Sequence, residues 1–192
     1  MISRCQWAGS DSHLIRYHDR EWGVPLHNDK KLFEFLILEG AQAGLSWLTV
    51  LKKRAAYREA FDNFDFNRVA KYGENKVRQL LNNAGIIRNE LKIRSTIRNA
   101  AAFIRVREEF GTFNKYIWQF VDHKPITNRW KKPGQLPAKT AISDKISSDL
   151  KKRGFNFVGS TIVYAHMQAT GMVNDHTTDC FRYNEIKKIS LK

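Results

Sequence analysis

The residues best suited to chemistry lie at the two ends of the chain. Cys5 and His18 stand near the start and His176 and Cys180 near the finish, and Cys5 and Cys180 are the only cysteines. Two thiolates and two imidazoles make a tetrahedral zinc set with no open position, so such a metal would clasp the termini and leave catalysis to other groups. The H-x3-C spacing of the last pair puts both side chains on one side of a helix or tight turn. The first pair is a loose C-x12-H. Spacing alone therefore leaves open a Cys5–Cys180 disulfide, or two buried thiols beside ordinary histidines.

A second group gathers further in. Glu39 closes an apolar helix, where a carboxylate opposes the C-terminal dipole and needs either solvent or something positive. Trp7, Tyr17, Trp22 and Trp47 offer flat aromatic faces. Residues of this kind are ordinarily core. Aromatic faces with one carboxylate are also a fitting cage for a flat cation.

Bulk charge narrows the partner. Lys and Arg number 33 against 19 acids, a net +14, with a pI near 9.9. Basic clusters occur at 52–54, 129–132 and 151–153. Each run could be a solvated helix face, but the total favours a polyanion, with nucleic acid ahead of an anionic membrane. No stretch approaches a membrane span, and the start has no apolar signal region. Two cysteines in 192 residues suit a reducing, cytoplasmic setting.

The elements that must position these groups read as all-α, one unit over 1–192. Leu32, Phe33, Leu36 and Ile37 form a helical stripe over 29–39, capped by Asn28 or Asp29. A second helix starts near Ser46 and runs toward Phe61. A third spans 75–84 with Gly85 as its C-cap. A long one carries Ile93, Ile97 and Ile104 and ends before Gly111, and Thr112 caps the next. The stretch 17–25 shows no helical period, 122–142 reads as a Pro-marked loop, and no strand is expected. Ser143 caps a helix ending at Lys152-Arg153-Gly154, a short connector through Phe157 and Gly159 follows, and Ser160 or Thr161 caps the next helix, to Gly171. Such a hairpin over 143–171 exposes backbone N–H groups where the dipole favours a phosphate. A plain αα-hairpin is the ordinary alternative.

The segments Cys5-x-Trp7, Tyr17-His18-Asp19-x-Glu21-Trp22-Gly23-Val24-Pro25, Leu38-Glu39-Gly40-x-Gln42-Ala43-Gly44-Leu45-Ser46-Trp47, Asn83-Ala84-Gly85-Ile86-Ile87-Arg88, Leu150 to Gly159 and Val173-Asn174-Asp175-His176 resemble the 3-methyladenine DNA glycosylase I family. The resemblance spans about Cys5 to Cys180. It implies a helix-hairpin-helix glycosylase fold, with one structural zinc on Cys5, His18, His176 and Cys180 joining segments 1–28 and 172–185. It implies monofunctional hydrolysis of the N-glycosidic bond of 3-methyladenine in double-stranded alkylated DNA, usually by a monomer. Glu39 matches the base-recognising carboxylate, Tyr17, Trp47, Trp7 and Trp22 match pocket aromatics, and Gly44 and Leu45 match the turn near the gap left by the flipped nucleotide. The DNA-binding hairpin would use Lys152, Arg153, Gly154, Phe157, Gly159, Ser160 and Thr161.

One departure is Leu14, where relatives often carry tyrosine; nearby His13 reads as a surface residue. Many glycosylases of this fold place an aspartate after the second hairpin helix, and here Asn174 falls in that region, with Asp175 turned elsewhere. The expectation is that no strong general base is needed, because a cationic purine is already a good leaving group. Rival readings are a non-enzymatic, zinc-stabilised DNA-binding module and a zinc hydrolase.

Overall fold

A computed structural model describes residues 3–189. In chain order the helices are α1 (Ser12–Arg20), α2 (Asp29–Gln42), α3 (Trp47–Ala60), α4 (Phe66–Val69), α5 (Glu74–Leu81), α6 (Glu90–Phe110), α7 (Phe113–Trp118), α8 (Ala141–Lys152), α9 (Ser160–Ala169) and α10 (Phe181–Ile189). The only strands among the described residues are β1 (Ile126–Thr127) and β2 (Val173–Asn174), a short parallel pair. No helix among them is long and apolar enough to cross a membrane.

The expected caps hold at two helices, and the helix expected to start near Ser46 is capped by that residue. Asn28, Ser46 and Thr112 accept from Lys31, Thr49 and Lys115 N–H groups and start α2, α3 and α7. Each satisfies one of the first orphan donors of its helix. α2 is the axis of the molecule. Every residue from Leu32 to Ala41 is buried, and α3, α6, α7 and α9 pack around it. Its approach to the α8–α9 connector depends on Gly40, where an added Cβ would stand 3.2 Å from the Cβ of Phe157. Aromatic rings fill the core on the far side, with Phe103 stacked on Phe113 at 4.1 Å between centroids.

Five expectations are corrected. The stretch 17–25 shows no helical period in sequence, yet it begins inside α1, which Asp11 caps through the His13 N–H; the buried face of α1 is Tyr17 and His18, not aliphatic residues, so the apolar pattern is missing. The helix at 75–84 ends earlier, at Leu81, because Asn83 accepts from the Gly85 N–H and turns the chain out. Thr140, not Ser143, caps α8; Ser143 is the third helical residue and its hydroxyl oxygen accepts from the Thr140 N–H, a reciprocal capping box. α9 is capped by Gly159 with no side-chain bond, and Ser160 instead meets Ser143 Oγ at 2.9 Å. The strand pair was also unforeseen, since two residues are too few to show alternation.

His166 on α9 is buried with neither ring nitrogen hydrogen-bonded, and burial pushes it down to about 4. Between its unfolded value near 6.5 and 4 the unfolded chain binds the proton more readily, so stability falls as pH falls through that window. Replacing His166 with Phe should flatten the acid limb of a urea-unfolding series. The gain at pH 4 over that at pH 7 should be roughly 2–3 kcal/mol.

Candidate active site and metal cluster

The last turn of α2 forms the floor of a cleft of about 200 Å³, walled by Trp7, Tyr17, Trp22, Glu39, Gln42, Trp47, Leu136, Ala165 and Gln168. All five base-pocket residues expected from the sequence therefore meet in one place. Tyr17 stands 5.3 Å from Trp47 between ring centroids, and Trp7 packs edge-on to Trp22 at 4.9 Å. Leu14 and His13 do not line the cleft. His13 turns to Asp11 instead, Nδ1 to Oδ1 3.2 Å.

Glu39 is 4% exposed, and no described residue donates to its carboxylate. Burial alone pushes it up to about 8. Glu34, on the same helix and as deeply buried, shows the contrast. Burial opposes its ionisation too, but the Arg54 charge and hydrogen bonds from Lys31, Arg54 and Arg58 hold it below the ordinary carboxylate range. One buried acid of α2 thus has three cations and the other has none. The indole N–H groups of Trp7 and Trp47 are also buried without an acceptor. An isolated donor or acceptor in a dry site costs stability unless a ligand satisfies it.

The turn after α2 presents Leu45 outward, 41% exposed, over Gly44 at φ +77°. Lys92 on α6 fixes this turn by donating to Ala41 O at 2.8 Å and Ala43 O at 2.7 Å. Across from it, Thr161 and Ile162 at the start of α9 line a second opening that shares Glu39. In the α8–α9 connector Gly154 and Phe157 take positive φ. Lys152 is exposed. Arg153 is engaged internally by Glu109 at 2.6 Å and Asp149 at 2.7 Å, so it braces the connector and is not a free cation.

Behind the cleft, the ligand atoms of Cys5, His18, His176 and Cys180 all lie within 4.8 Å of one another, and all four residues are buried. Both cysteines are free thiols. The H-x3-C pair sits on a turn before α10, closed by Cys180 N–H to Thr177 O. Each histidine is oriented by its other nitrogen: His18 Nδ1 meets Asp19 Oδ1 at 2.7 Å, and His176 Nε2 meets Trp22 O at 3.1 Å. That leaves His18 Nε2 and His176 Nδ1 facing the sulfurs at 3.4–3.5 Å. Ligating histidines are held in this way, so the cluster could hold a metal ion. Trp22 links it to the cleft, its ring 4.6 Å from that of His176.

Asn174 is buried, with its amide bonded to Tyr183 O and its oxygen to the His176 N–H. Asp175 accepts four hydrogen bonds. Neither lines the cleft. Sequence reasoning missed Leu136, Ala165 and Gln168 as cleft walls, and Lys92 as the brace of the turn. Gln42 lay inside a quoted motif without a role. Leu136 gave no signal because its segment has no period, and Gln168 is one α-turn past Tyr164 on a face that reads as core.

The fold is that of solved 3-methyladenine DNA glycosylases I. One such crystal structure is 49% identical with a TM-score of 0.90, covering 93% of this chain and 98% of that one. Another, from Staphylococcus aureus and described as the structural basis of 3-methyladenine recognition, is 32% identical with a TM-score of 0.91, covering 94% and 96%. The methyladenine glycosylase family matches residues 7–183, and the chain belongs to that family. Among curated relatives, the DNA-3-methyladenine glycosylase of Haemophilus influenzae is 47% identical over 180 residues, 94% of this chain and 97% of that protein. DNA-3-methyladenine glycosylase 1 of Escherichia coli K12 is 48% identical over 182 residues, 95% and 97%.

Two outcomes follow from the geometry. Glu39→Gln removes a carboxyl whose folded value lies above its unfolded one, a group that destabilises progressively as pH rises from about 4.5 to 8. The variant should be more stable than the parent, by an amount growing across that window to roughly 3 kcal/mol in chemical denaturation. Chelation of a metal from the four-residue cluster should lower the melting temperature together with activity; lost activity at unchanged stability would mark the metal as a catalyst.

Proposed function

We propose that this protein is a monofunctional glycosylase that hydrolyses the N-glycosidic bond of 3-methyladenine in double-stranded, alkylated DNA. The observation that carries this reading is Glu39, a buried carboxylate without a cation at the floor of an aromatic cleft. Alkylation at N3 gives the base in its nucleotide a positive charge. Extruded from the duplex, that ring would stack against Tyr17 and Trp47, contacts worth about 1–3 kcal/mol per base, and would supply the missing charge and donor to Glu39. A normal adenine is neutral and gains less from the carboxylate.

The same charge sets the chemistry. As the bond from N9 to C1′ breaks, its electron pair enters the purine and neutralises it. Water then adds at C1′ and gives its proton to solvent. Glu39 contributes by binding and electrostatics, and the saturated hydrogen bonding of Asn174 and Asp175 is consistent with no general base from that segment. Among the described residues no lysine lines the cleft, so none of them stands ready to form the Schiff base of a lyase.

Helices α8 and α9 serve, in this reading, as a helix-hairpin-helix element. Gly159 leaves the first N–H groups of α9 without a side-chain cap, and these groups with Gly154, Phe157, Ser160, Thr161 and Lys152 would receive one DNA phosphate. Gly44 and Leu45 would approach the gap left by the extruded nucleotide. Cys5, His18, His176 and Cys180 would hold one zinc. The two-thiolate, two-imidazole donor set suits that ion and leaves it no open position. When bound, it supplies cohesion between the terminal segments, not a reactive water. The whole chain would act as a single unit, as a monomer, in the cytoplasm.

Incubation with methylated DNA and chromatography of the released bases tests the reading. Release of 3-methyladenine is expected, leaving abasic sites that the protein itself does not cut. Glu39→Gln should lose base affinity and rate in parallel, each by about 10²-fold. Tight duplex binding with no base released would favour the DNA-binding module instead.

A further inference from the structure

The segment between α7 and α8 enters the cleft at one point, where Leu136 forms part of the wall. It is fastened from beneath by Asp175, which is 1% exposed. One carboxylate oxygen accepts from Asn128 Nδ2 and Trp130 Nε1, both at 2.7 Å. The other accepts from the Tyr164 hydroxyl at 2.6 Å and Gln168 Nε2 at 2.8 Å. Backbone bonds add to this: Asn128 N–H donates to Asn174 O at 3.2 Å, and Thr178 N–H to Trp130 O at 2.8 Å. The segment is therefore tied both to α9 and to the turn that bears His176 and Cys180.

Around and just after Trp130 stand Arg129, Lys131 and Lys132, all exposed. Among the described residues, no carboxylate lies within ion-pair distance of any of the three, whereas the next cation along, Lys139, meets Asp144 at 3.2 Å. Three unpaired cations are thus carried on a tethered backbone that runs, four residues later, into the wall of the cleft. A free loop would lose conformational entropy on ordering three long cationic side chains against an anion; this one has its backbone already placed. The net charge of +14 supplies the long-range attraction, and position at the cleft gives these three a local target.

We propose that Arg129, Lys131 and Lys132 form a second phosphate-binding surface, separate from the α8–α9 hairpin, which grips the DNA backbone beside the extruded nucleotide. The inference rests on the glycosylase reading for its partner. Asp175 is the positioning residue of this surface, through Trp130 and Asn128, and through Gln168 it couples the surface to the cleft wall.

The test uses the full-length, metal-loaded protein and a duplex carrying one uncleavable abasic-site analogue. Affinity is measured by anisotropy over a range of KCl concentrations. A chain with Arg129→Gln, Lys131→Gln and Lys132→Gln is compared with a charge-matched chain carrying Lys71→Gln, Lys187→Gln and Lys188→Gln, three exposed cations on parts that do not line the cleft. The first chain should show a log–log salt slope shallower by about 0.9 per lost phosphate contact, roughly 2–3 in all. The matched chain should lose less than about one. In excision from methylated DNA the first chain should show a raised KM with kcat within about twofold of the parent, since it removes binding common to ground and transition states. Slopes and KM values alike in the two chains would overturn the proposal. Failure of the glycosylase reading would appear separately, as no base released by the parent protein.

Discussion

The structure turns on one unsatisfied group. Glu39 is a carboxylate withdrawn from bulk solvent into the cleft, on the last turn of a helix whose dipole opposes its charge, with no cation beside it among the described residues. Burying an ionised carboxylate costs several kcal/mol when nothing pairs it, so the group holds its proton to about 8. The fold could have relieved this at little expense, as it does for Glu34, which draws in Lys31, Arg54 and Arg58. Leaving Glu39 alone leaves it open to a partner from a ligand, and on the proposed reading a cationic purine would supply both the charge and the donor.

Much of the remaining architecture holds the walls of that cleft in place. α2 is buried from Leu32 to Ala41, and Gly40 lets the hairpin connector close against it. Lys92 on α6 takes up the carbonyls of Ala41 and Ala43, so the turn bearing Leu45 is set by a buried contact and not by the turn's own flexibility. Behind the aromatic wall, the Cys and His cluster joins the two ends of the chain. Tyr17 and His18 are neighbours on α1, and Trp22 gives its carbonyl to His176. A metal in the cluster would therefore fix the cleft from behind while remaining apart from the reacting bond.

What was legible in the sequence followed from what sequence patterns encode. Long apolar stripes and polar caps gave the central helices and their starts, and the motif resemblance gave the cleft aromatics, Glu39 and the four metal-ligand candidates. α1 was not legible, because its inward face is Tyr17 and His18 and its helicity depends on a cap at Asp11. The start of α8 at Thr140 was not legible either, since a capping box has a polar residue at each end and sequence does not say which one precedes the helix. Gln168 is bonded to Asp175, and the segment that leads to Leu136 is tied to the same carboxylate through Asn128 and Trp130. That network joins residues 45 and 47 positions apart in the chain, and no local pattern records such a contact.

The central claim is that Glu39 is held unpaired until a base arrives. It is tested most directly by a carbon-13 NMR titration of the glutamate carboxyl groups, with the Glu39 signal assigned by its absence in Glu39→Gln. In the free protein the account predicts a midpoint near 8. With 3-methyladenine filling the cleft, donors on the base should favour the ionised form and move the midpoint down. A midpoint near the ordinary 4.5 in the free protein, unmoved by the base, would contradict the account.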